Sequence, residues 1–449
     1  MSKVIRISKG LDIKLLGEAE KKVTQVSSDN FALKPPDFVD VFPKLFLKEG
    51  DEVKAGTPVF FNKYRDNIIL TSPVSGKVTE IRRGAKRKML EIRIESDGKM
   101  NYEDFGKADP ASLSKEKIIE KLLKSGIWAQ IRQRPYSVIA DPKDEPKAIF
   151  ISAFNSAPLA PDYDFILDEE SQAFQAGLNA LGKLTSGKIH LNINNGKPCS
   201  KTFLEAKGVQ INRFKGPHPA GNIGVQIYNI DPINKGDIVW YISPQAVVTV
   251  GKLFFEGKYN ASRIIALTGS EVIKPQYFKV IAGTLVTDLF KNNINSGNVR
   301  YISGNVLTGS KIERDGYLGF YNDQITVIPE GDYYEFLGWS MPRINKFSFS
   351  RTFVSWLFPN KKYRLDTNLN GGQRAFVLTG EYEKVFPMNI YPMQLLKAII
   401  VKDIDLMENL GIYEVDEEDF ALCEFIDASK TEMQAIVREG LDYMRKEME

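Results

Sequence analysis

Short alternations of apolar and polar side chains fill the first hundred residues. Leu90-Glu91-Ile92-Arg93-Ile94 is the cleanest, with one oily face and one charged face. Val4-Ile5-Arg6-Ile7, Val59-Phe60-Phe61, Ile68-Ile69-Leu70 and Gly76-Lys77-Val78-Thr79-Glu80-Ile81 add further short apolar runs. A period of two belongs to half-buried strands. Turn formers such as Glu49-Gly50-Asp51, Ala55-Gly56-Thr57-Pro58 and Ser72-Pro73-Val74-Ser75-Gly76 separate the runs. This spacing predicts a small β barrel or sandwich over residues 1–105.

The rhythm changes after residue 105. Residues 117–123 form an amphipathic helical stretch that Gly126 can stop. Ala148-Ile149-Phe150-Ile151-Ser152-Ala153 reads as a buried strand, and Asp168 as the cap of a helix carrying Ala173, Phe174, Leu178 and Leu181. Ile189-His190-Leu191-Asn192-Ile193, a short helix near Phe203-Leu204, and Val209-Gln210-Ile211 complete a strand–helix–strand–helix–strand order. That order predicts a parallel sheet with crossover helices within residues 106–256. Residues 238–255 read as two buried strands around a turn at Pro244. Strands return over residues 257–330, at residues 263–267, 301–303 and 325–329.

Residues 331–449 are expected to be mainly helical. Pro392 can open a helix, and Asp416-Glu417-Glu418-Asp419 loads acid onto the start of another, where the helix dipole favours it. Ser429-x-x-Glu432 reads as a capping box for the last helix. Ser348-Phe349-Ser350-Arg351-Thr352-Phe353 alternates like an ordinary strand.

Composition narrows the function classes. Sixty basic and 57 acidic side chains leave a net charge of +3, too balanced to point to nucleic acid as a partner. Cys199 and Cys423 are the two cysteines and form no C-x-x-C pair, which excludes cysteine-ligated iron–sulfur clusters and zinc ribbons and fits a reducing compartment. The first residues hold no apolar signal core, and no run of apolar residues is long enough to span a membrane. A protein facing the cytoplasm is expected. No P-loop, H-E-x-x-H or G-x-S-x-G motif is present, and no carboxylate pair stands out as acid and base.

Three local patterns carry candidate chemistry. Glu49-Gly50-Asp51-x-Val53-x-x-Gly56-x-x-Val59 with Pro73-x-x-Gly76-x-Val78-x-x-Ile81 resembles the hammerhead of lipoyl and biotinyl carrier domains. A carrier needs a lysine at the exposed hairpin tip. The tip is expected near Arg65-Asp66, with Lys63 off register, so scaffold is favoured over carrier. The basic run holding Arg82, Arg83, Lys86 and Arg87 reads either as a solvated loop or as a docking site for an acidic partner or anionic headgroups. Arg213-Phe214-Lys215-Gly216-Pro217-His218-Pro219-Ala220-Gly221 follows a predicted strand, where open α/β sheets gather ligands. It reads equally as a rigid turn, whereas His190, mid-strand, reads as structural.

Taken together, the motifs resemble the NqrA family, the A subunits of the bacterial sodium-translocating NADH:quinone reductase, along nearly the whole chain. The resemblance rests on Lys9-Gly10-Leu11-Asp12-Ile13, Ser72-Pro73-x-Ser75-Gly76, the basic run and Gly216-Pro217-His218-Pro219-Ala220-Gly221. Gly251-Lys252-Leu253-Phe254, Leu369-Asn370-Gly371-Gly372-x-Arg374-Ala375 and Asp416-Glu417-Glu418-Asp419-x-Ala421-Leu422-Cys423 extend it. It implies an α/β multidomain fold: a lipoyl-like barrel-sandwich (1–105), a Rossmann-like domain (106–256), a β-grasp, ligand-binding-like domain (257–330) and a helical domain (331–449). Relatives in respiratory complex I and the Rnf complex hold flavin on a glycine-rich loop. Here residues 125–135 carry bulky side chains instead, so phosphate could not reach the backbone.

The resemblance therefore implies a chain with no cofactor of its own and no independent catalysis. It would sit peripherally on the cytoplasmic side of a bacterial inner membrane and help couple NADH oxidation and quinone reduction to Na+ export. FAD, FMN, riboflavin and iron–sulfur centres would belong to the other subunits (B to F), with the membrane-embedded B subunit as chief partner. Quinone would be the substrate, with Arg213, Lys215, Gly216, Pro217, His218 and Gly221 as candidate contacts. Arg82, Arg83, Lys86 and Arg87 would be candidates for partner docking.

Overall fold

The computed structural model describes residues 4–338, 341, 343–377 and 380–448. Its centre is a seven-stranded sheet ordered Val4–Arg6, Gln210–Lys215, Lys188–Asn194, Ala148–Ser152, Val239–Tyr241, Arg132–Arg134 and Val138–Ile139. The first five strands run parallel, and the last two continue antiparallel. The α/β expectation for this region therefore holds, in a mixed sheet.

Alternation along each strand decides which layer covers which face. Ile149 and Ile151 point into one core with Phe174, Leu181, Val247 and Phe254. That core belongs to helices Ser171–Leu181 and Pro244–Glu256, which cross so closely that a Cβ on Gly251 would lie 1.8 Å from the Ala173 carbonyl oxygen. Ala148 and Phe150 point the other way, into a core with Phe214, Val225, Leu395, Phe420 and Leu441. Helices Pro392–Val401, Glu417–Ile426 and Met433–Met448 thus form the second layer over the sheet. They begin only at Pro392. Between residues 331 and 381 the described chain holds one helical turn, Val354–Leu357.

The N-terminal region packs a four-stranded sheet (Asn30–Leu33, Met89–Ser96, Gly76–Arg83, Glu52–Val53) against a three-stranded one (Pro43–Leu45, Pro58–Asn62, Arg65–Thr71). This is the expected barrel-sandwich, but two early strands leave it. Val4–Arg6 pairs with Gln210–Lys215, and Glu20–Gln25 joins a six-stranded sheet built otherwise from residues 262–329.

Several local expectations are overturned. Residues 244–256 are a helix, because Ser243 caps it through Ala246 N, Pro244 opens it and Gly257 ends it in the left-handed region. Its apolar positions 246, 247, 250, 253 and 254 have helical spacing, which two short strands do not need. Residues 348–353 form no strand. Their polar atoms tie a turn instead, with Phe353 N–H donating to Ser348 Oγ at 2.9 Å. Glu170, not Asp168, precedes helix Ser171–Leu181. Ser429 caps nothing, since the last helix starts at Met433 and the Ser429 hydroxyl donates to the Ala375 carbonyl. The carrier-like hairpin turns at Lys63-Tyr64, because Asn62 pairs with Arg65. Arg65 opens a strand and donates to the Ile139 carbonyl at 3.2 Å, wedging the hairpin base against the central region.

Candidate functional site

In the central sheet the chain proceeds from Ala148–Ser152 outward through Lys188–Asn194 to Gln210–Lys215, then returns to lay Val239–Tyr241 on the opposite side. The order reverses between Ala148–Ser152 and Val239–Tyr241. Two divergent connections leave a crevice beyond the carboxyl ends of such strands. A cavity of about 220 Å³ lies there. Ser152, Phe154 and Asn155 line it from one strand end, and Tyr241, Ile242 and Ser243 from the other. Loops of the six-stranded sheet supply another wall, through Gly304, Asn305, Leu307 and Thr308 after strand Val299–Ser303 and Tyr321, Asn322 and Asp323 before strand Gln324–Pro329, and Glu418 reaches in from the C-terminal layer.

The cavity's polar groups are held by specific partners. The Arg132 guanidinium lies 4.5 Å from the rings of both Tyr241 and Tyr321. Burial opposes its charge, but Tyr241, Tyr321, Glu418 and Asp416 hold its pKa above the usual value. His218 lines the cavity and is 4% exposed. Burial pushes its imidazole down to about 4, so it is neutral near pH 7. Its Nδ1 is 3.0 Å from Ser156 Oγ, which accepts from Gly221 N–H at 2.8 Å. Its backbone N–H donates to Asp12 Oδ1 at 2.8 Å, while Leu11 N–H donates to the His218 carbonyl. Gly10 makes that approach possible: at φ +147°, a Cβ there would lie 2.1 Å from the His218 oxygen. The N-terminal Lys9-Gly10-Leu11-Asp12 motif thus holds the His218 loop.

Of the other expected contact residues, Gly221 lines the cavity. Arg213 and Lys215 lie within strand Gln210–Lys215, the first half-buried and the second exposed. Neither they nor Gly216 and Pro217 line it.

Comparison with known proteins follows this layout. Residues 5–97 match the NqrA N-terminal barrel-sandwich hybrid domain, 113–259 the NqrA second alpha/beta domain, and 264–314 the NQRA C-terminal domain. The chain is 38% identical over 450 residues to the A subunit of the Na(+)-translocating NADH-quinone reductase of Haemophilus influenzae. It is 37% identical to that of Pasteurella multocida and 36% identical to that of Yersinia pestis. Each match covers 99% of this chain and 100% of the relative. This chain belongs to the NqrA family.

As an NqrA chain, it is part of the Na+-translocating NADH:quinone oxidoreductase complex. Among solved structures, an NAD+-reducing [NiFe]-hydrogenase aligns at TM-score 0.35 and 11% identity, covering 68% of this chain and 55% of that one, too slight a likeness to carry an argument. Among the described residues no helix is long and apolar enough to cross a membrane, and no cluster of His, Cys, Asp or Glu is arranged to hold a metal ion.

In this NqrA chain residues 125–135 hold the buried turn Ile127–Gln130. Trp128 fills it, donating Nε1–H to the Ala140 carbonyl at 2.8 Å and meeting Trp240 edge-on at 5.4 Å.

Sequence reasoning missed the cluster behind the cavity. Arg134 is 1% exposed and donates to Asp419 at 3.0 Å and Glu418 at 2.9 Å, with Asp416 at 3.5 Å. Burial raises the pKa of Glu417, Glu418 and Asp419, with neighbouring carboxylates adding to it. Against its own burial, Asp416 is held low by hydrogen bonds and by Arg134. The four acids do open helix Glu417–Ile426, with a capping box at Asp416 and Asp419, as their position predicts. Their second task, neutralising a buried arginine 285 residues away, left no local signal.

The basic run forms an exposed hairpin tip. Arg82 and Arg83 end strand Gly76–Arg83, and Lys86 and Arg87 lie in the turn Ala85–Arg87. All four are exposed, with Arg82 3.6 Å from Glu91.

Proposed function

We propose that this chain receives a quinone headgroup in the strand-end cavity and docks on its membrane partner through the basic hairpin. The observation that carries the first part is the cavity's composition. Phe154, Tyr163, Tyr241, Ile242 and Tyr321 offer flat apolar walls, and His218, Arg132, Asn155 and Asn222 offer donors among them. A quinone ring needs apolar faces and hydrogen bonds at two oxygens. With Ser156 donating to Nδ1, neutral His218 keeps an Nε2–H for one of those oxygens. At about 220 Å³ the cavity is smaller than the ~300–1,000 Å³ of pockets that enclose drug-sized ligands, which suits a headgroup with its tail outside.

In this reading the electrons from NADH and the coupling to Na+ export reach the quinone through flavins and iron–sulfur centres of other subunits. The B subunit is the membrane neighbour, and the chain sits peripherally on the cytoplasmic face. Titration of a short-chain quinone into the purified chain, followed by tryptophan fluorescence, tests the cavity. His218→Ala and Phe154→Ala should each weaken binding about tenfold, the value of one good hydrogen bond or ring contact. Equal affinity in both variants removes the reading.

For docking, reversing Arg82, Arg83, Lys86 and Arg87 to Glu should cut co-purification with the membrane components at low salt. Undiminished assembly removes that part. Lys63 at the hairpin tip keeps an acyl-carrier role in view, but the hairpin base is tied down by Arg65. An intact mass equal to that of the bare sequence dismisses a carrier.

A further inference from the structure

A second surface is built from residues that belong to neither the cavity lining nor the basic hairpin. Between Glu335 and Asp366 the chain has no acidic residue and six cations: Arg343, Lys346, Arg351, Lys361, Lys362 and Arg364. Within this stretch the turn Val354–Leu357 is pinned from one side. Phe353 and Ser355 are buried, and Ser348 N–H donates to Ser355 Oγ while the Ser355 hydroxyl donates back to the Ser348 carbonyl. With its inward side fixed, the turn presents Trp356, Leu357 and Phe358 outward, 54%, 53% and 44% exposed. Single exposed apolar residues are ordinary, but three consecutive large ones on an anchored turn form a patch that marks a contact.

The rim of this knob is cationic. The Arg351 guanidinium lies 5.7 Å from the Trp356 ring. Lys14 donates to the Pro359 carbonyl at 2.8 Å, and Lys361 to the Ile344 carbonyl at 2.9 Å. Among the described residues these three form no ion pair, whereas Lys362 pairs with Glu18, Arg364 with Glu271, and Arg343 and Lys346 with Glu335. Carbonyl contacts leave the net positive charge of the rim unneutralised.

We propose that this turn rests on an anionic phospholipid surface, with Trp356, Leu357 and Phe358 entering the interfacial layer and Lys14, Arg351 and Lys361 lying against headgroup phosphates. Tryptophan and phenylalanine are favoured at that depth because their rings are apolar and polarisable, and leucine adds apolar area. Each cation within a Debye length of the lipid strengthens the contact by roughly fivefold at moderate salt. A protein pocket would also accept an apolar knob. A rim of uncompensated cations favours a dense field of phosphates.

The test is sedimentation of the full chain with vesicles of phosphatidylcholine, with and without phosphatidylglycerol. The chain should bind the anionic vesicles and not the neutral ones, and less in high salt. Trp356→Ala/Leu357→Ala/Phe358→Ala should weaken binding about tenfold or more, and Arg351→Glu/Lys361→Glu by a similar factor. Brominated lipid supplies a readout that does not depend on the triple variant folding: it should quench the wild type more than Trp356→Phe. No anionic binding, equal binding to neutral vesicles, unaltered variants or equal quenching would each overturn the proposal. So would loss of the triple variant from the assembled complex when the wild type ignores vesicles, which assigns the knob to a protein pocket.

Discussion

His190 and His218 are the chain's two histidines; the first lies within strand Lys188–Asn194 of the central sheet and the second in the loop that follows strand Gln210–Lys215. They are 5% and 4% exposed, and burial pushes each imidazole down to about 4. Their surroundings differ. His190 stacks on Phe150 at 4.6 Å, with Nδ1 3.2 Å from the Asn212 amide, inside a layer that the C-terminal helices close. His218 stands past the strand ends, on the wall of a cavity, in a loop gripped by Asp12 and Ser156. Burial and a depressed pKa report how a group is solvated. Whether it can meet a ligand depends on what it borders.

The severest way to break this contrast is to remove the support behind the cavity. Arg134→Ala strands Asp416 and Asp419 in the interior, and denaturant unfolding should show a loss of about 3–5 kcal/mol. A loss below about 1 kcal/mol would mean that the cluster is solvated and that the cavity's acidic wall does not rest on it.

Acid comes next. Both histidines are neutral above about pH 6.5 whether the chain is folded or not. Between about pH 6.5 and 4 the unfolded chain takes up protons that the folded one refuses, so stability falls. Below about 4 the folded imidazoles also protonate and the loss levels off. Each histidine should contribute about 3 kcal/mol across that window. The raised carboxylates of the Arg134 cluster act in the opposite sense, so the quantity to measure is the difference between wild type and His190→Gln at each pH. A flat difference would show that His190 titrates like a solvated imidazole.

Truncation separates the two sites more finely. His190→Ala opens a hole in a closed layer and should cost about 2–3 kcal/mol. His218→Ala borders space that water can enter and should cost about 1 kcal/mol, with its main effect on ligand affinity. Equal costs would place both histidines in one kind of environment. The smallest effect belongs to the hairpin, where reversing Arg82, Arg83, Lys86 and Arg87 should shift folding stability by only about 0.5 kcal/mol, since all four are exposed.

Much of the central sheet was legible because its strands and helices carry their own periods. Residues 148–153 form a continuous apolar run, residues 189–193 alternate, the stretch before Gly126 repeats at helical spacing, and Pro392 opens its helix as placed. Misreadings came where two patterns overlap. Residues 244–256 are apolar enough for strands, and the Ser243-Pro244 start, the Gly257 stop and the helical spacing of 246, 247, 250, 253 and 254 reveal the helix. Residues 348–353 alternate like a strand, yet Ser348 and the following Ser355 satisfy the local backbone instead. Of the expected ligand contacts, His218 and Gly221 reach the cavity. Lys215 ends strand Gln210–Lys215 on the face opposite buried Phe214 and is exposed, whereas the His218 loop is held by Gly10 and Asp12 from the far end of the sequence.

By itself the sequence determined the local grammar: the barrel's short strands, the α/β alternation, the acidic start of helix Glu417–Ile426 and the lack of a long apolar span. It also carried enough ordered motifs to mark the family. Only the tertiary structure decided that Gly10 meets His218, that Arg134 is neutralised by Asp416, Glu418 and Asp419, and that one cavity gathers residues from 132 to 418. Periodicity and capping act over a few residues and so leave a trace along the chain. A cavity or a buried charge cluster forms where distant segments meet, and nothing in the spacing of either partner records the other.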